Sequence, residues 1–309
     1  MIRQTLLAVS RSDKIRQLSV SMPITRDVVQ QFVAGENIAD AVAATADITA
    51  TGRLVTIDRL GEDVVELTQA QQTKDDYLGL LNVLNANGLA ADAEVSVKLS
   101  AVGQMLPKDG EKVALDLART VCEKAQSLGS AVTLDMEDHT TTDSTLGILH
   151  ELRKDFPKTG AVLQAYLYRT EGDCKDLAYE GSRIRLCKGA YSEPEAVAYQ
   201  SKHDVDLAFV RCMKILFAGE GYPMIASHDP RLVEIAGALA VHNDRQRGSY
   251  EYQMLYGVRP EEQQRLADDG ERMRVYIPYG EDWYGYMIRR MAEKPANVSL
   301  FLKSLSSKN

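Results

Sequence analysis

Short strand-like runs alternate with longer helical stretches from residue 53 to near the end of the chain, and this alternation constrains the fold most. The stretch Val113–Leu128, for example, has apolar residues at helical spacing. Strict alternation implies parallel strands joined by right-handed crossovers, and about eight such units imply a closed α/β barrel, a (βα)8 or TIM barrel, rather than an open sheet. The strand runs are Arg53–Asp58, Glu94–Leu99, Ala131–Met136, Ala161–Tyr166, Arg183–Cys187, Tyr222–Ser227, Ser249–Met254 and Arg272–Ile277.

The residues before the first strand run have the pattern of helices. Thr25 fits the N-cap of a first helix, and a second begins near Ile38 and ends before Gly52. We therefore predict an N-terminal helical segment, residues 1–52, packed on a catalytic barrel domain, residues 53–309. Basic residues near the N-terminus also fit a mitochondrial transit peptide, but an ordinary bacterial N-terminal helix is the favoured interpretation.

Charge and cysteine content limit the classes of partner and compartment. The formal net charge is -8, which disfavours a nucleic-acid binder because such proteins normally present a basic face. The four cysteines are far apart and form no Cys-x-x-Cys pair, so neither a disulfide framework nor a metal site is predicted and a reducing cytoplasm is favoured. No apolar run approaches the length of a transmembrane helix. The dinucleotide fingerprint Gly-x-Gly-x-x-Gly does not follow the first strand run, which disfavours a Rossmann domain.

Polar residues occur where most of the strand runs end. Parallel barrel strands are otherwise nearly continuous apolar runs, and burying an unpaired charge is costly. Because the carboxyl ends of barrel strands form the active-site face, we expect these residues to meet at one mouth of the barrel and to form an active site. In chain order they are Lys98, Asp135, Glu137, Gln164, Arg185, Lys188, Ser227, His228, Gln253 and Tyr276.

The last helical stretch carries a second group of polar residues. Tyr286, Arg289, Arg290 and Glu293 are spaced at i, i+3, i+4 and i+7, so they share one face of a helix. Two adjacent arginines can bind a carboxylate through paired hydrogen bonds, and Glu293 could orient one of them.

Taken singly, several of these residues also have a purely structural interpretation. The adjacent pair Arg289 and Arg290 fits a solvated helix face. Lys98 fits an ion pair with Asp135, and His228 fits a hydrogen-bonded residue at a strand end. The functional interpretation rests on their joint position at the strand ends.

Eight short motifs, in order along the chain, resemble those of the proline dehydrogenase family and cover roughly residues 53–297. The most specific are Lys188-Gly189-Ala190-Tyr191 and the helix containing Arg-Arg-x-x-Glu. The motifs lie in Val97–Ala101, Leu134–Glu137, Leu163–Tyr166, Arg185–Tyr191, Ala226–His228, Glu251–Gly257, Tyr276–Gly280 and Arg289–Glu293.

The resemblance implies a distorted (βα)8 barrel that oxidises L-proline to Δ1-pyrroline-5-carboxylate, the first step of proline catabolism. The carboxylate of proline would pair with Lys98, Arg289 and Arg290, and the substrate ring would lie against Tyr276 and Tyr286. The presence of Tyr276 favours proline over hydroxyproline. The residues expected to take part in catalysis are Lys98, Asp135, Arg185 and Tyr276.

The resemblance also implies non-covalently bound FAD, which accepts hydride from the ring carbon of proline. Arg185 would approach the flavin ring and favour its reduced, anionic form. The sequence departs from the family pattern at Cys187, Ser192 and Ser227 and at Lys294-Pro295, which bears on details of flavin contact. The implied cofactor contacts are Asp135, Met136, Gln164, Arg185, Lys188, Gly189, Ala190, Ser227, His228, Gln253 and Glu293.

Electrons would pass from the flavin to a membrane quinone, so the protein would contact the inner face of the plasma membrane peripherally. It would be the monofunctional form of the family. Two other functions fit the same barrel. A Schiff-base lyase would use Lys98 or Lys188 as its nucleophile. A non-catalytic barrel would keep the mouth for binding alone.

Overall fold

Eight short strands close into a parallel barrel in the computed structural model, which describes residues 29–287. Each strand pairs in parallel with its neighbour in sequence, and β1 pairs with β8 to close the ring. The predicted (βα)8 fold is therefore confirmed. The strands are β1 Leu54–Arg59, β2 Ala93–Val97, β3 Val132–Leu134, β4 Gly160–Gln164, β5 Arg183–Cys187, β6 Tyr222–Ala226, β7 Glu251–Leu255 and β8 Met273–Tyr279.

Helices connect successive strands and cover the outside of the barrel. Several begin at side-chain caps: Ser201, for instance, accepts a hydrogen bond from the backbone of Asp204, and Asp229 precedes a proline at the start of its helix. Short 3-10 turns follow β2 (Leu99–Val102) and precede α4 (His139–Thr141). The helices are α1 Ile38–Thr49, α2 Leu67–Ala86, α3 Gly110–Ser127, α4 Thr142–Arg153, α5 Thr170–Asp176, α6 Lys202–Ala218, α7 Pro230–His242 and α8 Pro260–Asp268.

Helix α1 precedes the barrel and packs across the closing strands β1 and β8, next to α2. Its capping box joins Asn37 and Asp40, each side chain accepting from the other residue's backbone. Ala41, Val42 and Ile48 are buried in the same hydrophobic core as β1. The predicted second helix is thus present. Thr25, the predicted N-cap of the first helix, lies outside the described residues, and the described part of that helix ends at Gln30, earlier than predicted.

The strands have two chemically different faces. On β2, Val95 and Val97 belong to the hydrophobic core shared with the helices. The alternate residues Glu94 and Ser96 are also buried, but they bind Arg185 of β5, which is not a neighbouring strand. Those hydrogen bonds cross the barrel, so its interior is lined by charged and polar side chains instead of the usual branched apolar ones.

Within residues 29–287, no helix is both long and apolar enough to cross a membrane.

Candidate active site

The barrel interior holds two sets of buried charges, of which the first, called here the lower layer, lies near the amino ends of the strands. Glu94 accepts from Arg183 at 2.6 Å, and Glu251 accepts from Arg274 at 2.7 and 3.2 Å. Two carboxylates thus meet two guanidinium groups. Burial raises the pKa of Glu94, but Arg183, Arg274 and Arg185 outweigh it and hold that pKa far below its usual value. The lower layer, Glu94, Arg183, Glu251 and Arg274, is a paired and neutral set.

The second set, called here the upper layer, lies further toward the carboxyl ends of the strands, where the active-site face of a barrel is found: Asp58, Lys98 and Asp135 are at or just past strand ends, and Arg185 and Tyr276 are at mid-strand. Lys98 Nζ lies 2.6 and 2.7 Å from the two carboxylate oxygens of Asp58 and 3.4 Å from Asp135. Arg185 donates to the other oxygen of Asp135 at 2.8 Å. The upper layer consists of Asp58, Lys98, Asp135, Arg185 and Tyr276.

Lys98 is buried and positively charged. Its side chain is 8% exposed. Burial lowers the pKa of Lys98, but the carboxylates of Asp58 and Asp135 outweigh that effect and hold the pKa above its usual value. Its strongest partner is Asp58 rather than Asp135, the partner considered from the sequence.

The two carboxylates that bind Lys98 are not equivalent. Burial raises the pKa of Asp58, and Lys98 offsets this only in part. Burial acts on Asp135 in the same direction, but Lys98 and Arg185 outweigh it, so the pKa of Asp135 is lowered. Asp135 therefore carries the firmer negative charge, and it also accepts from Ser96 Oγ at 2.6 Å.

Tyr276 on β8 is fixed by Asp135 and Arg185. Its hydroxyl donates to Asp135 at 2.6 Å, and the Arg185 guanidinium carbon lies 5.2 Å from the centre of its ring. Burial and the nearby carboxylates raise the pKa of Tyr276 well above its usual value, so the phenol stays neutral. The structure thus brings together Lys98, Asp135, Arg185 and Tyr276, the four residues expected to take part in catalysis.

Two glutamines of the predicted cofactor contacts are fixed by hydrogen bonds inside the barrel. Gln164 at the end of β4 donates to the carbonyl of Glu137 at 2.7 Å. Gln253 of β7 donates to the Glu251 carboxylate at 2.5 Å, which connects it to the lower layer. Met136, between Asp135 and Glu137, is buried.

The loop after β6 carries the next two predicted contacts. The Nε2 atom of His228 accepts the backbone N–H of Leu255 at 2.9 Å, which places the proton of a neutral ring on Nδ1. Ser227 Oγ accepts from the backbone of Asp229 at 3.2 Å. His228 therefore makes a hydrogen bond at the end of its strand, as considered from the sequence.

The remaining predicted contacts lie on the segment after β5 and on the last helix. Lys188 Nζ lies 2.5 Å from Asp206 and 3.5 Å from Asp229. The following two residues, Gly189 and Ala190, are partly buried. Tyr286 is buried in a second hydrophobic cluster with Val29, Val33, Leu60, Trp283, Tyr284 and Met287. Arg289, Arg290 and Glu293 lie outside the described residues.

Several buried charged residues of the interior were not singled out from the sequence: Asp58, Glu94, Glu251 and Arg274. A signal for one of them was present along β2 and the residue after it, where Glu94, Ser96 and Lys98 alternate with Val95 and Val97. That period of two is unusual for a parallel barrel strand and marks a polar interior face.

The matches to known proteins cover almost the whole chain. The family model described as Proline dehydrogenase matches residues 41–303. Proline dehydrogenase 1 of Bacillus subtilis subsp. natto is 36% identical over 308 residues, which is 100% of each chain. Proline dehydrogenase of Deinococcus radiodurans is 36% identical over 307 residues, covering 99% of this chain and 98% of that protein.

A solved structure supports the same fold. Proline utilization A (PutA) from Bdellovibrio bacteriovorus superposes with a TM-score of 0.80 at 26% identity. The match covers 92% of this chain and 34% of that one, so the present chain spans about a third of that longer protein.

A closed parallel barrel with a charged cluster at the carboxyl ends of its strands defines a (βα)8 enzyme. Since a family model matches well over half of the chain and full-length relatives share more than a third of its residues, the chain belongs to the proline dehydrogenase family. The predicted class, an oxidoreductase of this family, is thereby confirmed.

The family is flavin-dependent, and one unsatisfied group in the barrel fits a flavin. Arg185 Nε is buried, and among the described residues it has no hydrogen-bond partner. An unmade hydrogen bond from a buried N–H is costly, so this donor suits an acceptor supplied by a bound group. A flavin ring presents several acceptor atoms along one edge, which suits such a donor.

Proposed function

We propose that the chain oxidises L-proline to Δ1-pyrroline-5-carboxylate, with FAD as the hydride acceptor and a membrane quinone as the final acceptor of the electrons. The observation that carries the proposal is the position of Lys98: a buried, charged amine at the mouth of a barrel of the proline dehydrogenase family. When bound, the flavin supplies the redox chemistry, and the protein supplies binding, orientation and charge.

Charge balance in the upper layer determines how the substrate carboxylate can be held. Asp58 and Asp135 balance Lys98 and Arg185, so these four groups together have no net charge to offer an anion. A buried carboxylate needs further cations. In the proposal these are Arg289 and Arg290, which would join Lys98 in a three-cation clamp.

The remaining groups of the upper layer would orient the proline ring and set the charge near its amine. Tyr276 stays neutral and its hydroxyl is bound to Asp135, so its ring offers an apolar surface in a fixed place. Tyr286 would complete that surface. The amine must lose a proton before hydride leaves the adjacent carbon, and nearby cations favour its neutral form. Arg185 would stabilise negative charge on the reduced cofactor.

The cofactor would lie along the carboxyl ends of the strands. Arg185 would use its unpartnered Nε there. The further contacts in this proposal are those named from the resemblance: Asp135, Met136, Gln164, Lys188, Gly189, Ala190, Ser227, His228, Gln253 and Glu293.

The Schiff-base lyase is the weaker alternative. An amine nucleophile must be neutral to attack a carbonyl. The carboxylates around Lys98 do the opposite, because they raise its pKa. Lys188 is engaged by Asp206 and Asp229.

The proposal is tested by the visible spectrum of the purified protein before and after L-proline is added without oxygen. We expect a flavin band that bleaches with L-proline and not with D-proline, and that returns when a soluble quinone analogue is added. A flavin band that does not bleach would contradict the substrate. A colourless protein that takes up no added FAD would contradict the cofactor and favour the lyase.

A further inference from the structure

The loop between β5 and α6, residues 188–201, is long and is held at several points by buried contacts. Tyr166, two residues beyond β4, donates its backbone N–H to the carbonyl of Lys188 and accepts at its own carbonyl from Tyr199. The loop also forms an antiparallel bridge between Leu167 and Ala198. Both ends of the loop are therefore fixed to the segment after β4.

Near the middle of this loop, Glu193 turns inward. Its side chain is 2% exposed, although no neighbour of opposite fixed charge binds it among the described residues. The carboxylate accepts the backbone N–H of His139 at 3.0 Å and the Tyr166 hydroxyl at 3.2 Å, and it contacts the Nδ1 atom of the His139 ring. A buried carboxylate with three such partners is held in one position and links the segments that carry those partners.

Glu193 joins two loops from different strands. His139 lies on the loop after β3, which begins with Asp135 and Met136. Glu193 lies on the loop that begins with Lys188. The carboxylate therefore fixes the distance between two segments that both carry proposed cofactor contacts.

The backbone next to Lys188 is held against the same tyrosine. Gly189 has φ +103°, and a Cβ atom there would lie 2.4 Å from the Tyr166 ring. Only glycine can combine that backbone conformation with such close packing. Tyr191, two residues on, lies near enough to Lys98 to affect its pKa, so this part of the loop reaches the mouth of the barrel.

From these contacts we infer that Glu193 is a positioning residue for the cofactor, because it acts as a clamp that fixes the loop after β5 to the loop after β3. The proposed cofactor contacts on these two loops are thereby held in place before FAD binds. This inference rests on the proposed function. A preformed site avoids the cost of ordering a loop when the ligand binds, so loss of the clamp weakens binding.

The test is the dissociation constant of FAD, measured by flavin fluorescence quenching on protein depleted of flavin and then titrated. Glu193→Gln keeps an oxygen acceptor but loses the charge, and we expect FAD to bind about tenfold more weakly; for Glu193→Ala we expect roughly 100-fold. The matched control is Glu195→Gln, an exposed residue of the same loop, which should leave the constant unchanged. At saturating FAD, the KM for proline should stay within about twofold of wild type, since the clamp acts on the cofactor.

Hydrogen exchange separates positioning from simple loss of fold. In Glu193→Ala we expect faster exchange in residues 188–201 and 138–141, with the barrel strands as protected as in wild type. Wild-type FAD affinity in a folded Glu193→Ala protein would overturn the clamp, as would faster exchange throughout the barrel. A wild-type protein that binds no FAD would instead overturn the proposed function, and with it the cofactor on which the role of Glu193 depends.

Discussion

The lower and upper layers inside the barrel each contain two carboxylates and two cations, but they differ in how those charges are paired. In the lower layer every charge has a close partner, and Glu251 receives two hydrogen bonds from one guanidinium group. In the upper layer Lys98 is shared by two acids whose pKa values shift in opposite directions, and Arg185 keeps a buried N–H without a partner among the described residues.

That difference distinguishes a charge cluster that only stabilises the fold from one that can bind a ligand. A cluster in which every charge already has a close partner in the protein has nothing left to offer a ligand, so it serves to fill the barrel. A cluster with an unused donor and two carboxylates of unequal proton affinity can change partners when a ligand enters. Burial alone does not separate the two, because Glu94 and Asp58 are equally inaccessible.

The largest expected effect comes from breaking the lower layer. Arg274→Met leaves Glu251, which is completely buried, without its paired donor. An uncompensated buried charge costs about 3–5 kcal/mol, and we expect the free energy of unfolding to fall by that amount. Urea denaturation followed by circular dichroism measures it.

The control for this experiment removes both charges. In the double variant Glu251→Gln, Arg274→Met no unpaired charge remains, so most of the stability should return. A loss below about 1 kcal/mol in Arg274→Met would mean that the lower layer is not structural.

A smaller effect is expected at Glu137, an acid beside the upper layer that binds Ser100 N and Oγ through its carboxylate. Burial raises its pKa to about 7. Because the folded-state pKa is above that of the unfolded chain, the contribution to stability is complete below the unfolded value and is lost as the pH rises through 7. The loss amounts to about 3 kcal/mol.

Glu137→Gln should remove this pH dependence. Relative to wild type, the variant should gain about 3 kcal/mol in unfolding free energy between pH 4.5 and pH 8, measured by urea denaturation at each pH. Glu123→Gln, at an exposed position on α3, should follow the wild-type curve. Parallel curves for Glu137→Gln and wild type would show that folding does not raise the pKa of Glu137.

The smallest effect concerns the upper layer itself. Asp58→Asn removes the strongest partner of Lys98, so burial lowers the pKa of that amine and its charge is lost at alkaline pH. We expect kcat/KM for proline to fall roughly tenfold more in the variant than in wild type between pH 7 and pH 10. The exposed Asp92→Asn is the control, and an unchanged pH profile would remove Lys98 from the proposed clamp.

The fold could be predicted because its determinants are local. Alternation of strand and helix periods located all eight strands, and α3 begins and ends within a few residues of the predicted Val113–Leu128. Strand β3 is shorter than predicted and ends at Leu134, although the backbone N–H of Asp135 still donates to the carbonyl of Val97 on β2. Burial of Met254 and Met273 in the core follows from the same patterns.

The candidate site was predictable only in part because its partners are distant in sequence. A charge at a strand end is visible locally, which is how Lys98 and Arg185 were found. Its partner is not: Arg185 and Ser96 are separated by 89 residues and meet only across the closed barrel. Asp58 also ends a predicted strand run and was nevertheless missed, because its partner Lys98 lies 40 residues away and nothing near Asp58 in the sequence indicates that contact. The roles assigned to the site residues in catalysis and cofactor binding stay predictions.

Closure of the barrel between β1 and β8 sets an order of events during synthesis. Arg274 of β8 donates to the carbonyl of Val55 in β1, across 219 residues of chain. At ribosomal rates of about 5–20 residues per second, β1 waits on the order of 10–40 s before its second neighbour exists. Through that interval one edge of β1 is unpaired, and an unpaired strand edge is a site of aggregation. Helix α1, which precedes β1 and packs across it, is made in time to cover its outer face, so the nascent chain is partly shielded before the ring can close.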